Sequence, residues 1–281
     1  MILDSQCNTV FLSSRLQKSA PITFGNLTEI LRQWDVPYSL LPDTKDIWCR
    51  DYMPLQVEKG RFFSYTYNPD YLRNYKTYRK SITDSEAVLD SLDLDGIFTN
   101  LPGKLVLDGG NVVRCGSKVV MTAKVFEENP SYRPVQILEA LEEMLESEVI
   151  VIPWDTKEIF GHADGVCRYA DDDTILLTNY RQIDKKMGAR FYECLKPHFR
   201  NILELEYTEA ARHKFDWAYI NWLQTDKVLI VPSFGCAADA EAIRQIETAL
   251  PSYRGRIVAC ECPEIVRKGG ALNCCSWTII R

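Results

Sequence analysis

The sequence has neither a membrane-spanning stretch nor an excess of basic residues. No apolar run in its 281 residues approaches the roughly 18 that a transmembrane helix needs, and the N-terminus lacks the features of an export signal. With 33 basic and 39 acidic residues, the formal charge is −6, so nothing would attract a nucleic acid or an anionic membrane. We therefore expect a soluble, cytoplasmic protein that is better suited to a cationic partner.

Histidines are scarce, and the cysteines lack the spacing of metal ligands. There are three histidines, and none of the ten cysteines forms a C-x-x-C pair. The closest cysteine spacings are Cys260-x-Cys262 and the vicinal pair Cys274-Cys275. Because the cysteines are scattered through apolar segments, most should be reduced and buried. The sequence predicts no metal and no cofactor.

A glycine-rich phosphate-binding turn is also missing, since neither G-x-G-x-x-G nor a Walker loop occurs. This argues against an ordinary doubly wound nucleotide-binding sheet, which is the alternative α/β architecture.

The chain instead contains an internal repeat of a helix followed by a strand. Five amphipathic segments are predicted helices: 26–34, 84–92, 133–146, 185–196 and 239–249. Each precedes a short apolar strand, at 38–41, 97–99, 149–152, 202–205 and 256–259.

A polar or glycine-rich cluster follows each of these strands, and the clusters recur about every 55 residues. They centre on Asp51, Asp108, His162, Asn221 and Cys274. Further strands are predicted at 62–67, 119–121, 175–179 and 228–231. The fifth unit lacks such a strand, which residues 9–12 could supply by pairing with the C-terminus. We predict a single α/β domain over 1–281, in which five units form a closed ring around a central site.

Two clusters contain residue types that suit catalysis. In Gly161-His162-Ala163-Asp164-Gly165, alternate residues of an extended segment face the same way, so His162 and Asp164 can enter one site. This spacing also fits two ligands of a non-haem iron site, with His213 as the third. Cys274 follows a Gly-Gly approach and would need a basic partner to act as a nucleophile. Its neighbour Cys275 should face the opposite way.

Two further clusters carry acids. Asp51 stands beside Arg50 in the aromatic segment from Trp48 to Pro54, where it could equally be a turn residue or the partner of that arginine. Asp108 opens Asp-Gly-Gly-Asn, which by itself indicates only a turn.

Together these clusters resemble the guanidine-modifying superfamily of agmatine deiminases and bacterial peptidylarginine deiminases. The likeness lies in W-x-R-D-x-x-P at 48–54, an acid before Gly-Gly at 108–110, G-H-x-D at 161–164 and G-G-x-x-x-C ending at Cys274. It extends over the whole chain. The resemblance implies a five-bladed, pseudo-symmetric α/β propeller of ββαβ units around a central active site.

The resemblance also implies a mechanism on a small cationic guanidino substrate, without a cofactor. Asp51 and Asp164 would bind the guanidinium, Cys274 would attack its carbon, and His162, oriented by Asp108, would transfer protons. The residues implied to contact the substrate are Trp48, Arg50, Asn221 and Trp277. Peptidylarginine deiminase or amidinotransferase activity, or a non-catalytic binding protein of the same fold, are alternatives. A homo-oligomer is left open.

This chain departs from the family pattern at several positions. Met53 replaces glycine, Asn273 replaces histidine before the nucleophile, and Asp108 replaces the more frequent glutamate. The residues after the nucleophile also differ, Trp277 among them. No catalytic group is lost. We expect Met53, Asn273 and Trp277 to reshape the pocket and thereby to affect the choice of substrate.

Overall fold

A computed structural model describes residues 1–100, 104–208 and 215–281. Within these ranges, fifteen strands form five three-stranded sheets. The strands are β1 Thr9–Ser13, β2 Tyr38–Leu41, β3 Leu55–Glu58, β4 Arg61–Ser64, β5 Ile97–Asn100, β6 Val113–Cys115, β7 Lys118–Thr122, β8 Glu148–Ile152, β9 Cys167–Asp171, β10 Thr174–Leu177, β11 Asn201–Glu204, β12 Leu223–Gln224, β13 Leu229–Ser233, β14 Ile257–Glu261 and β15 Ser276–Ile279.

The helices of the described ranges lie mainly between the second and third strands of each sheet. They are α1 Leu16–Ser19, α2 Pro21–Gln33, α3 Cys49–Tyr52, α4 Asp70–Arg73, α5 Ser85–Asp90, α6 Lys124–Glu128, α7 Pro134–Leu145, α8 Tyr180–Ile183, α9 Lys185–Leu195, α10 Ala237–Ala249 and α11 Pro263–Val266. Of the helices in the part that the structure describes, none is long and apolar enough to span a bilayer.

All five sheets share one topology. The first strand of a blade pairs antiparallel with the second, and the second pairs parallel with the third after a helical crossover, as in β6, β7, α7 and β8. Parallel pairing requires such a crossover. Helices also pack against the sheet of the neighbouring blade, as α2 does on β14 and α9 on β8. The chain is therefore a five-bladed α/β propeller, and the predicted architecture is confirmed.

The five predicted helices are all present, with small shifts of their ends. Helix α2 begins at Pro21, earlier than predicted, because proline is well suited to the first turn of a helix. The first strands of four blades, β3, β6, β9 and β12, were not predicted. These strands have two to five residues and lie next to turns, so they carry too little periodicity to be recognised.

The first and last strands of the chain belong to the same sheet. β1 pairs antiparallel with β15, with Phe11 opposite Trp277, and parallel with β2. This confirms the predicted pairing of the two ends. The strand that the fifth repeat lacks is thus supplied by the N-terminal segment.

Trp277 lies in an apolar core and is only 2% exposed. The centre of its ring is 5.0 Å from that of Phe11 and 6.0 Å from that of Phe62, and its indole nitrogen donates to the carbonyl of Pro54 at 2.8 Å. Met53 is fully buried in the same cluster. Both side chains therefore help to close the ring of blades.

We expect Trp277→Ala to lower the free energy of unfolding by about 3–5 kcal/mol, because it leaves a cavity and an unpaired Pro54 carbonyl at the closure. Urea denaturation monitored by circular dichroism would measure the change. Tyr78, which is 54% exposed, provides the control, and Tyr78→Ala should shift stability by no more than about 0.5 kcal/mol. Similar midpoints for the two variants would contradict the assignment of Trp277 to the core.

Candidate active site

The turns that precede the first strands of the blades bring the polar clusters together. Asp51 lies in α3, while Asp108 and His162 stand just before short 3-10 turns at 109–111 and 163–165. Neighbouring turns contact one another around the ring. They surround a cavity of about 480 Å³ whose lining includes Asp51, His162, Asp164, Asn221 and Cys274.

Cys274 lies in the cavity wall, next to an amide and a carboxylate. Its Sγ is 3.2 Å from Asn221 Oδ1 and 3.7 Å from Asp164 Oδ2. The same Asn221 oxygen accepts the backbone N–H of Cys274 at 3.2 Å, which fixes the thiol in place. Burial, together with the Asp164 and Asp51 carboxylates, raises the pKa of Cys274 well above its ordinary value. Without a cation in the site, the nucleophile therefore rests as a thiol.

His162 lies between two carboxyl groups. Its Nε2 is 2.9 Å from Asp108 Oδ2, and its Nδ1 is 3.5 Å from Asp51 Oδ1. Burial opposes protonation, but the Asp51 and Asp108 carboxyl groups outweigh it and raise the pKa of His162 to about 10. At neutral pH the ring is therefore an imidazolium, which can act as a general acid.

Asp51 is 5% exposed and faces the same cavity. Its Oδ1 accepts the Gly110 N–H at 3.1 Å. A side chain at Gly110 would lie 2.5 Å from Asp51 Oδ1 and 2.7 Å from His162 Nδ1, so only glycine fits there. Burial and the other carboxylates raise the pKa of Asp51, against the effect of His162. The site would therefore gain stability from an additional positive charge.

The other predicted substrate contacts divide into two groups. Trp48 lines the cavity beside Gly270, where a side chain would collide with the indole. Asn221 also lines the cavity and holds Cys274. Arg50 and Trp277 do not line the cavity, so the structure does not bring these two predicted substrate contacts to it.

Arg50 is 6% exposed and faces the C-terminal strand instead of the cavity. Its guanidinium donates to the Asn273 carbonyl at 3.4 Å and to Thr278 Oγ1 at 3.2 Å, and it lies 3.9 Å from Asp4. Trp277 belongs to the apolar core described above. Met53 lies in that same core and does not line the cavity. Asn273, by contrast, contacts Asp164 directly.

The vicinal cysteines have different surroundings. Cys274 lines the cavity, whereas Cys275 is fully buried and its Sγ lies 3.5 Å from the Leu272 carbonyl. The opposite orientation predicted for the pair is confirmed. Among the residues described, no group of three His, Cys, Asp or Glu side chains could hold a metal ion. His213, the third ligand in the iron alternative, lies outside the described residues.

Three acids in the cavity wall were missed from the sequence: Asp46, Asp155 and Glu158. Burial raises the pKa of Asp46 to about 7, although its Oδ1 accepts the Trp48 N–H at 3.0 Å. Asp155 Oδ2 accepts the Tyr180 hydroxyl at 3.3 Å. Their proximity to motifs in the sequence could have identified them. Asp46 lies two residues before the W-x-R-D motif, and Asp155 and Glu158 lie within six residues of Gly161.

Comparison with known proteins gives a family match over nearly the whole chain. The model of the Porphyromonas-type peptidyl-arginine deiminase family matches residues 18–279. A protein of Lactococcus lactis named "Putative agmatine deiminase" is 26% identical over 208 residues, and one of Enterococcus faecalis with the same name is 25% identical over 206. Each alignment covers 60% of this chain, and the chain spans only 56% of each relative.

Solved structures of such proteins share the fold. C. jejuni agmatine deiminase superposes with a TM-score of 0.74 at 19% identity, covering 100% of this chain and 95% of its own. The agmatine deiminase of Enterococcus faecalis gives 0.76 at 17% identity, covering 99% and 94%. DDAH from Pseudomonas aeruginosa gives 0.61 at 11% identity, covering 98% and 100%. At these identities the likeness establishes the fold alone.

Replacing Asp108 should lower the pKa of His162 by more than one unit, because Asp108→Asn removes a buried negative charge from Nε2. Since the chain has three histidines, proton NMR can follow each imidazole, and His162→Gln assigns the relevant signal. In the wild type this imidazole should stay protonated until about pH 10. Titration of His162 at the same pH in both proteins would contradict the proposed role of Asp108.

Proposed function

The chain belongs to the Porphyromonas-type peptidyl-arginine deiminase family, and from that premise we propose that it is a cytoplasmic hydrolase that removes ammonia from the guanidinium group of agmatine or a closely related guanidino compound. It would act on a C–N bond of a linear amidine. One observation carries the proposal: a thiol, an imidazolium and two buried carboxyl groups line the same cavity.

Substrate binding is the first step. A guanidinium is a planar cation with several N–H donors, and carboxylates bind it through charge-assisted hydrogen bonds. Asp51 and Asp164 would provide these acceptors. The guanidinium brings a positive charge next to the Cys274 thiol, so its binding lowers the pKa of that thiol, whose proton passes to solvent.

The thiolate then attacks the central guanidinium carbon. A C–S bond forms, and His162 donates a proton to one terminal nitrogen, so that the C–N bond breaks and ammonia leaves. With Nε2 held by Asp108, the Nδ1 that faces Asp51 is the nitrogen available for this transfer. The product of this half-reaction is an amidino group linked to Cys274 by a thioether.

Hydrolysis of that intermediate completes the cycle. The neutral His162 takes a proton from water, and the resulting hydroxide adds to the same carbon. The C–S bond breaks with its electron pair returning to sulfur, the added hydroxyl loses its proton, and a ureido product leaves. Passing the amidino group to an amine instead of water would make the protein an amidinotransferase.

Three further acids in the cavity lining support a substrate that is also cationic at its other end. Asp46, Asp155 and Glu158 line the wall, and Lys157 is the single Lys or Arg side chain in the lining found for the described residues. Lys157 is paired with Asp184 at 2.8 Å. Agmatine carries only an amine at its other end, whereas free arginine carries a carboxylate beside its amine. This favours agmatine over arginine.

Incubation with agmatine should release equal amounts of ammonia and a ureido product. Cys274→Ala should abolish both, because no other thiol lines the cavity. Cys275→Ala is the matched control and should retain activity, since that sulfur faces the protein interior. Quenched reactions of the wild type should show Cys274 heavier by the mass of agmatine less ammonia. Full activity in Cys274→Ala would disprove the mechanism.

A second experiment tests recognition of the far end. Asp155→Asn keeps the size of the side chain but removes its charge, so it should raise KM for agmatine roughly tenfold. Butylguanidine, which lacks the amine, should show a much smaller change. An equal effect on both compounds would rule out Asp155 as an amine-binding residue. Turnover of arginyl peptides in preference to agmatine, measured in parallel, would support the peptidylarginine alternative instead.

A further inference from the structure

Asn273, the residue before the nucleophile, makes a short buried hydrogen bond to one of the substrate-binding acids. Its side chain is 3% exposed, and Nδ2 donates to Asp164 Oδ2 at 2.6 Å. That same oxygen lies 3.7 Å from Cys274 Sγ. A single carboxylate oxygen therefore lies between the amide and the nucleophile.

Two hydrogen bonds hold the backbone of Asn273 and thereby fix the position of its Cα atom. Its N–H donates to the Asn221 carbonyl at 3.1 Å, and its own carbonyl accepts from Arg50 Nε at 3.4 Å. Asn221 Nδ2 in turn donates to the backbone carbonyl of Asp164 at 3.4 Å. The two asparagines thereby join the nucleophile loop to the turn that carries Asp164.

The orientation of the Asn273 amide follows from its surroundings. Its Oδ1 is buried and has no hydrogen-bond partner among the described residues. Turning the amide over would bring this oxygen against Asp164 Oδ2, so the N–H must face the carboxylate. A buried, unpaired acceptor is costly. The hydrogen bond from Asn273 Nδ2 to Asp164 is therefore kept although it leaves Oδ1 unpaired.

We propose that Asn273 is a positioning residue that holds the Asp164 carboxylate for guanidinium binding, a role that rests on the proposed function. A neutral amide holds the carboxyl group through a hydrogen bond and, unlike a cation, adds no charge beside it. By anchoring Oδ2, it leaves Oδ1 for the substrate. Because an amide does not titrate, the anchor is the same at every pH at which the enzyme works.

The kinetic test compares two substitutions of Asn273. Asn273→Ala removes the donor and should lower kcat/KM for agmatine roughly ten- to hundredfold, mainly through KM. Asn273→Asp should lose less near neutral pH, because two carboxyl groups sharing one proton reproduce both the hydrogen bond and the charge.

The order of these two variants is decisive. If Asn273 only filled space, a buried carboxyl group would be the more damaging replacement. An Asp variant less active than the Ala variant would therefore overturn the proposal.

Asn129 provides the matched control. It is also 3% exposed, and its side chain makes three hydrogen bonds of 2.8 Å to Val106 and Val125, away from the cavity lining. Asn129→Ala should lower the melting temperature and leave kcat/KM for agmatine unchanged in the folded protein.

Crystal structures of the variants separate this inference from the proposed function. In Asn273→Ala the Asp164 carboxylate should rotate or occupy two positions, whereas it should stay in place in Asn129→Ala and in Asn273→Asp. If the wild type leaves agmatine unchanged, the proposed function fails and the crystal structures still decide the role of Asn273. An Asp164 side chain that does not move in Asn273→Ala would refute that role.

Discussion

The organisation of this protein depends on an unbalanced set of buried charges. Asp51, Asp108 and Asp164 surround one imidazole and one thiol, and the walls of the cavity exclude most of the water that would otherwise screen them. His162 compensates part of this charge and in doing so acquires a pKa of about 10. The remainder is stabilised only when a cation enters. The same imbalance that keeps Cys274 protonated in the empty site would therefore prepare it to react once a guanidinium is bound.

The propeller makes this concentration of acids possible, because each blade needs to contribute only one short turn. Asp51, Asp108 and His162 each precede a first strand, while Asn221 and Cys274 occupy the corresponding places farther along the chain. The sheets and helices stabilise the turns from outside, so the cost of assembling like charges is spread over five separate apolar clusters. Gly110 shows how close the approach is, since even a methyl group there would strike both Asp51 and His162.

The sequence alone was sufficient for the architecture, because five units recur about every 55 residues, and its motifs indicated that Asp51, His162, Asp164 and Cys274 lie around one cavity. It did not identify Asp46, Asp155 and Glu158, which line the same cavity. The sequence alone did not predict which way individual side chains point. Trp48 and Arg50 are two residues apart, and since α3 is a helical turn their side chains diverge, one into the cavity and one toward Thr278. Trp277 follows the nucleophile closely, yet β15 has already begun and carries it into the core. The contact between Asn273 and Asp164 joins residues 109 positions apart, so no local sequence pattern predicts it.

Pairing of β1 with β15 has a consequence for how the protein is made. Closing that sheet joins segments more than 260 residues apart, so it carries the largest loss of loop entropy of any strand pairing described here and belongs to the slow, late part of folding. The reactive thiol lies two residues before β15. Pairing of the two chain ends therefore fixes the strand at which the Cys274 turn ends. We expect closure of the ring and the final placement of this thiol to be coupled steps of folding.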